Sequence, residues 1–428
     1  MNPIIIAATI VLLFCLFLRV PVFVSLILAS LTYFVLDGST SMQLIAQRFT
    51  SGIESVPLLA VPFFIYAGVL MNYCGITESV MDVCCVLAGR LTGGLAQVNI
   101  LLSVLMGGLS GSNIADAAME AKMLVPEMEK KGFSKPFSTV VTAFSSIITP
   151  IIPPGIQMIL YGTLAGVSIG RMFIAGIAVG SLACVVLMIG TAIISKKRGY
   201  KPLYDKTPPI REFLVALKRA FLPLCLPIVI IGGIRIGIFT PTEAGAVAVI
   251  YSVFLGIIYR KLTLNNSIKA IAETVVITGS IMLIVGAASI LAWVFAKEQV
   301  PQAISALMMT SIQSKVLFLI IVNIFLLFVG MFIEGTALTI ILAPLLAPVA
   351  ASFGIDSIQF AFIFIFNLSI GCLTPPLGTL MFVTCGITGC KTKDFLKESV
   401  PYFIMLGVVL LVLTFVPAAT TAIIKLFY

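Results

Sequence analysis

Two short segments of this 428-residue chain hold the residue types best suited to binding a small ion. One reads Ser145-Ser146-Ile147-Ile148-Thr149-Pro150-Ile151-Ile152-Pro153-Pro154-Gly155, and the other Leu373-Thr374-Pro375-Pro376-Leu377-Gly378. Proline has no amide to donate four residues back, so neither segment continues as a helix. Pro150, Pro153 and Pro154 release the carbonyls of Ser146, Thr149 and Pro150, while Pro375 and Pro376 release those of Gly371 and Cys372. Carbonyls freed beside hydroxyl and amide oxygens in a dry interior suit a hard monovalent cation, for which sodium is the natural candidate. The alternative is a kink relieved by neighbouring helices and water, but the repetition of the double proline favours an ion site.

A second set of oxygens lies at Ser110-Gly111-Ser112-Asn113, where open half-helix N-termini would also present amides to an anion. Gly107 and Gly108 suit tight helix packing as well as they suit a functional tip. Asp116, three residues past Asn113, and Glu334 at a second tip are ionisable groups expected at membrane depth, where such residues are functional by default. Glu243 has a simpler account, because Thr240-Pro241-Thr242-Glu243 spells an N-cap, a proline in the first turn and a capping box. Gly108-Leu109-Ser110-Gly111 superficially suggests an intramembrane serine protease, but the chain has no histidine to activate the serine. Trp293 reads as a lipid-facing or core residue.

The elements that position these groups must cross a bilayer. Apolar side chains make up 60% of the sequence and charged ones 10%, against ~25% charged in soluble domains. At about 20 residues per crossing the length accommodates ten or more spans. The lack of histidine also removes histidine-ligated metals and histidine proton switches, and the lack of a GxxxxGK[ST] loop removes ATP hydrolysis by this chain. The nine cysteines contain no CxxC pair and read as small buried hydrophobes. The N-terminus has neither a basic region nor a small-residue cleavage site, so it reads as a first membrane helix.

Apolar runs lie near 3–18, 22–36, 57–73, 137–169, 172–194, 221–239, 242–259, 270–296 and 399–427, with a turn at Arg19 and Pro21 between the first two. The runs 92–107 and 114–128 are too short to span about 30 Å and meet at the Gly/Ser/Asn tip, which predicts a re-entrant hairpin over about 92–131. Shifting the chain by 222 residues superposes Ala115 on Ala337, Pro126 on Pro348, Gly132 on Gly354, Pro153-Pro154 on Pro375-Pro376 and Phe173 on Phe395. The chain thus contains two copies of a hairpin followed by a proline-broken helix (about 137–169 and about 358–390), with the second hairpin over about 314–354. Of the 26 basic residues, eight cluster from Lys196 to Arg219, which marks a cytoplasmic connection and not a nucleic-acid patch. Lys122, Lys130, Lys131 and Lys135 flank the first hairpin's base, where 344–357 has no basic residue. Beyond the broken helices the bias reverses, from Arg171 alone to Lys391, Lys393 and Lys397. Opposite charge asymmetry at equivalent places predicts an inverted-topology repeat, a hallmark of secondary transporters. The organisation read from this pattern is scaffold helices 1–56, a first repeat 57–194, the basic connection 195–220, scaffold helices 221–269 and a second repeat 270–428.

The segments GGLSGSNIADAAMEAKMLVPEM (107–128), SSIITPIIPPG (145–155), GIFTPTEAGAVA (237–248), EGTALTIILAPLLAPV (334–349) and LTPPLG (373–378) resemble, across essentially the whole chain, the large membrane subunit of tripartite ATP-independent periplasmic (TRAP) transporters. The resemblance implies an all-α polytopic protein of the bacterial inner membrane, with an elevator mechanism driven by sodium. It implies two partners, a small four-helix membrane subunit, expected here as a separate polypeptide, and a soluble periplasmic binding protein. One sodium site is then expected at Ser110, Ser112 and Asn113 with backbone at Ser145, Ile148 and Pro150. The other is expected at Gly330, Glu334, Gly335 and Thr336 with Gly371 and Thr374. Substrate, a carboxylate of the sialic acid or C4-dicarboxylate kind, is expected near Ser112, Asp116, Ser146 and Asn367. A two-component divalent-anion/sodium carrier, an intramembrane hydrolase using Asp116 and Glu334, and an anion channel are the competing functions.

Overall fold

The structure, a computed structural model, describes residues 2–18, 20–204, 208–312 and 314–427; Arg19, and Asp205 and Lys206 of the basic stretch, lie outside the described residues. All its regular structure is helical, in twenty α-helices and two short 3-10 segments, with no strand among the described residues. Among the described residues seven helices are long and apolar enough to cross a membrane, from Val56–Tyr73 to Thr392–Phe415. Helix starts follow capping chemistry. The Asn2 side chain accepts from the Ile4 amide ahead of Pro3–Phe17, and Asp356 accepts from the Ile358 and Gln359 amides, both at 3.0 Å, ahead of Ser357–Gly371. Thr240 and Glu243 form the capping box, with the Thr240 amide donating to Glu243 Oε2 at 2.7 Å.

The two copies coincide element by element at the 222-residue offset. Gly94–Ser110 and Asn113–Lys130 form the first hairpin, and Lys315–Gly330 and Gly335–Ser352 are their counterparts. Each hairpin is followed by a helix that stops short, Lys135–Ser145 or Ser357–Gly371, then by an irregular stretch, and then by a short second helix, Ile156–Ala165 or Thr379–Thr388. Both double prolines, Pro153-Pro154 and Pro375-Pro376, lie in these irregular stretches. The packing between copies is reciprocal. Asn113–Lys130 packs on Thr379–Thr388, while Gly335–Ser352 packs on Ile156–Ala165. Contacts that repeat with the copies exchanged are those of a two-fold relation.

The broken elements form the centre of the protein. Phe137 through Ile151 is buried throughout, as is Ile358 through Leu373. Around them, the helices Pro3–Phe17 and Val22–Asp37 pack on each other, Val22–Asp37 and Gln43–Ile53 run along Leu264–Lys297, and Pro241–Ile258 lies on Ala60–Tyr73. This outer group is fastened at one end by Tyr33, whose hydroxyl donates to Glu298 Oε1 at 2.6 Å, and by Lys297, which pairs with Asp37 at 3.2 Å. Glu298 sits beyond its helix, and the Tyr33 and Asn2 donors hold its carboxyl below the usual range.

Three helices, Gln43–Ile53, Ile76–Ala88 and Val300–Ser311, fall outside the apolar runs read from the sequence. Gln43–Ile53 is amphipathic and has no buried residue, so a search for long apolar stretches passes over it. Helix Ile169–Arg198 extends to Arg198 and the next begins at Ile210, so the connection narrows to 199–209 and places Arg211, Lys218 and Arg219 on a helix.

Within the second copy the hairpin meets the broken element backbone to backbone. A Cβ added at Gly371 would lie 2.6 Å from Gly330 Cα and 2.7 Å from its carbonyl carbon. Neither atom belongs to a flexible side chain, so a side chain at 371 must push the elements apart, at a cost of about 1–3 kcal/mol. Gly371→Val is therefore expected to lower the melting temperature of the detergent-purified protein by several degrees, whereas Gly386→Ala, in open space, leaves it unchanged. Equal melting temperatures would show that this contact does not hold the hairpin.

Candidate functional site

The first tip is a two-residue reversal. Gly111 adopts φ +63°, and a Cβ there would stand 2.8 Å from the Pro154 carbonyl oxygen, so both conformation and space require glycine. Ser112 follows as the N-cap of Asn113–Lys130, accepting from the Ala115 amide, and Ser110 Oγ accepts from the Ser112 amide at 3.4 Å. Gly107 and Gly108 lie within the preceding helix. Their missing side chains let it approach Thr149, at 3.1 Å from a Cβ on Gly107, and Pro227, at 2.8 Å from one on Gly108. One turn past the tip Asp116 is buried, and Thr149 Oγ1 donates to its carboxylate at 2.8 Å. At the second tip Glu334 is the N-cap, accepting from the Thr336 amide at 3.2 Å.

The two tips share a cavity of about 460 Å³, within the range of small-molecule sites. Ser110, Ser112, Asn113, Asp116 and Pro150 line it from the first copy, and Glu334 and Thr336 from the second. The facing wall carries Asn72 of Ala60–Tyr73, with Glu273 and Ser280 of Leu264–Lys297.

The other residues singled out in the sequence do not line this cavity. Ser145 donates to Asn99 Oδ1 at 3.2 Å, and Ser146 to the Ala143 carbonyl at 3.0 Å. The Ile148 carbonyl accepts from the Ile151 and Ile152 amides. Gly330 and Gly371 make the backbone contact described above, and Thr374 Oγ1 donates to the Ile370 carbonyl at 2.9 Å. Gly335 abuts Gln157. Asn367 is buried away from the cavity lining, donating to Asn323 Oδ1 at 2.5 Å and to the Ile363 carbonyl at 2.7 Å. The released carbonyls are partly reclaimed, because Thr149 donates to Ser146, Thr374 to Gly371 and Leu380 to Cys372. Each carbonyl has two lone pairs, so one bond leaves a site for a cation.

Sequence reasoning missed several groups, among them Asn72, Glu273 and Ser280 of the cavity lining. Glu120 is fully buried, with Ser103 Oγ 3.0 and 2.9 Å from its two carboxylate oxygens. Behind Ser103, buried Asn99 donates to Thr142 Oγ1 at 2.6 Å. Gln157 lines the cavity. Glu120 was available to a closer reading, since it follows Asp116 by four residues and shares its helix face. Among the described residues no three or more His, Cys, Asp or Glu cluster as a metal site. The tips and breaks instead offer hydroxyl and carbonyl oxygens, a donor set for hard cations.

Comparison with known proteins accounts for this arrangement. The family described as "Tripartite ATP-independent periplasmic transporter, DctM component" matches residues 9–419. The sialic acid TRAP transporter large permease protein SiaM of Vibrio cholerae is 41% identical over 399 residues, covering 92% of this chain and 93% of that one. The C4-dicarboxylate TRAP transporter large permease protein DctM of Pseudomonas aeruginosa is 33% identical, covering 91% of each. The crystal structure of the YdaH transporter of Alcanivorax borkumensis shares the fold, with a TM-score of 0.58 over 86% of each chain at 16% identity. Matched along nearly its whole length, the chain belongs to the DctM family of TRAP transporters, as a large permease component that transports and is not an enzyme.

Proposed function

We propose that this chain is the sodium-coupled translocating subunit of a TRAP system that imports a small organic acid across the bacterial inner membrane. The observation that carries the reading is the sign of the cavity. Its ionisable lining is Asp116, Glu273 and Glu334, with no lysine or arginine among the lining residues. An organic anion placed there meets only like charge, and one such pair at 4 Å costs ~4 kcal/mol at an effective dielectric of 20. Cations bound at the tips and the broken backbone offset that repulsion. By linkage, an anion that needs sodium in order to bind raises the affinity for sodium in return. Each positive charge moved inward through 100 mV adds about 2.3 kcal/mol, so two or more sodium ions drive a carboxylate uphill.

Sodium is assigned to Ser110, Ser112, Asn113, Ser145, Ile148 and Pro150 at one end, and to Gly330, Glu334, Gly335, Thr336, Gly371 and Thr374 at the other. The hairpins are read as re-entrant and the repeat as inverted, since the reciprocal packing supports a two-fold relation and the basic-residue asymmetry sets its axis in the membrane plane. The cavity has one wall from the hairpins and broken elements and another from Ala60–Tyr73 and Leu264–Lys297. Sliding of the first group against the second would carry the site across, as an elevator. A sialic acid or C4-dicarboxylate type carboxylate, the cargo named for the relatives, fits this cavity, delivered by a periplasmic binding protein and with a separate small membrane subunit completing the complex.

In proteoliposomes containing the chain with its small subunit and binding protein, uptake of N-acetylneuraminate, succinate and malate is to be measured with and without external sodium. At least one acid is expected to accumulate, only with sodium, and only when both partners are present; sodium-independent uptake by the chain alone would sink the proposal. Asp116→Asn removes one carboxylate from the cavity and is expected to raise the sodium concentration for half-maximal uptake about tenfold. An unchanged sodium dependence would separate Asp116 from the coupling ions.

A further inference from the structure

Three glutamines are almost wholly buried, and they divide by what their amides do. Gln97 Nε2 donates to the carbonyls of Thr92 and Met188, and Gln359 Nε2 to those of Leu413 and Thr414, so each ties one helix to another. The amide oxygen is buried without a partner in all three, but Gln157, 4% exposed, also makes no amide N–H bond among the described residues, so of the three it alone has neither end of its amide paired. A buried acceptor left unpaired costs about 1–3 kcal/mol. Gln157 serves no tether that would offset this cost.

Its position suggests what pairs with it. Gln157 is the second residue of Ile156–Ala165, immediately after the double-proline break, and it lines the cavity between the tips. Its Nε2 lies against the second tip so closely that a Cβ on Gly335 would stand 2.7 Å away. One uncharged amide thus sits where the first copy's broken element meets the second copy's hairpin. Of the other amides in the lining, Asn72 accepts from Thr77 Oγ1 and Asn113 is assigned to sodium above, and the remaining polar groups differ in kind. Asp116, Glu273 and Glu334 are acidic, and the tip hydroxyls and carbonyls suit cations.

An amide oxygen accepts and cannot donate, so a carboxylate of the cargo does not satisfy it; an O–H or N–H does. We propose that Gln157 is a specificity-determining residue whose amide oxygen accepts a hydrogen bond from a hydroxyl or amide N–H on the transported acid. It selects hydroxylated or acylamino acids over bare mono- and dicarboxylates. This inference rests on the transport reading above. Sites built to hydrogen-bond a substrate group discriminate strongly against analogues that lack it, because the protein group is then left unpaired.

The test uses the reconstituted complex and compares kcat/KM for uptake of N-acetylneuraminate against its deoxy derivatives, and of malate against succinate. The same binding protein is used throughout, so that a change in the ratio reports on this chain. The wild-type protein is expected to favour the hydroxylated member of at least one pair by about tenfold. Gln157→Met is expected to bring that ratio close to one while the deoxy acid is still carried. Gln157→Asn, which keeps an amide but withdraws it by one methylene, is expected to reduce the ratio and carries the test where the methionine variant does not purify. A ratio that both variants leave unchanged, or equal loss of both acids in a variant with wild-type melting temperature, overturns the inference and leaves the transport reading standing. Failure of the wild-type complex to carry any acid overturns both.

Discussion

A polypeptide that leaves its helix inside a bilayer must find partners for its amides and carbonyls within the protein, because lipid offers none. The two proline-broken segments impose that requirement twice, and the layered arrangement follows from it. Both segments are enclosed in the most buried part of the molecule, with each hairpin laid against its own copy's break and its second arm against the other copy's short helix. The large exposed apolar side chains lie instead on the periphery, for instance Ile10 and Phe14 on the first helix, Ile228 on Ile210–Arg235, Ile250 on Pro241–Ile258 and Val275 on Leu264–Lys297. Apolar surface of this extent on an outer shell suits lipid as its solvent.

The same requirement governs the chemistry available at the centre. Local amides reclaim the Ser146, Gly371 and Cys372 carbonyls, each of which keeps an unused lone pair. Polar side chains are disposed economically around them: Asn99, Thr142, Ser145 and Ser103 form a chain of hydrogen bonds that ends on Glu120. Such a network fixes geometry at membrane depth while its net charge comes only from the acid.

Much of this was legible in the sequence, because proline and glycine report on backbone and the repeat reports on architecture. At the offset of 222 residues the helices flanking each tip and each break recur within a few residues of one another. The tip was read too broadly, over Gly107 to Asn113, since small residues that permit close packing and those that make a turn look alike in sequence. In the structure only Gly111 and Ser112 lie outside the helices. Gln157 was not legible for a different reason. A polar residue on an otherwise apolar or amphipathic helix becomes distinctive only when its missing partner is known, and partners are tertiary facts. Asn367, expected near the substrate from the family resemblance, has its donors taken by Asn323 and Ile363, which is again a tertiary fact.

Two equivalent positions show how the duplicated geometry has diverged. In the first copy Thr149 donates to Asp116, joining the broken element to the hairpin arm through a hydrogen bond to an acid. At the 222-residue offset these positions hold Gly371 and Leu338, so neither the hydroxyl nor the carboxylate is present. The space that a side chain at 371 would fill is instead occupied by the Gly330 backbone. One copy therefore joins hairpin to break by a polar contact and the other by dry close packing. Glu120 has the same history, its equivalent being Leu342. The first hairpin consequently carries two buried acids, whereas the second carries its one acid, Glu334, at the tip itself, on the Thr336 amide. Two-fold symmetry of the backbone thus coexists with a one-sided distribution of charge.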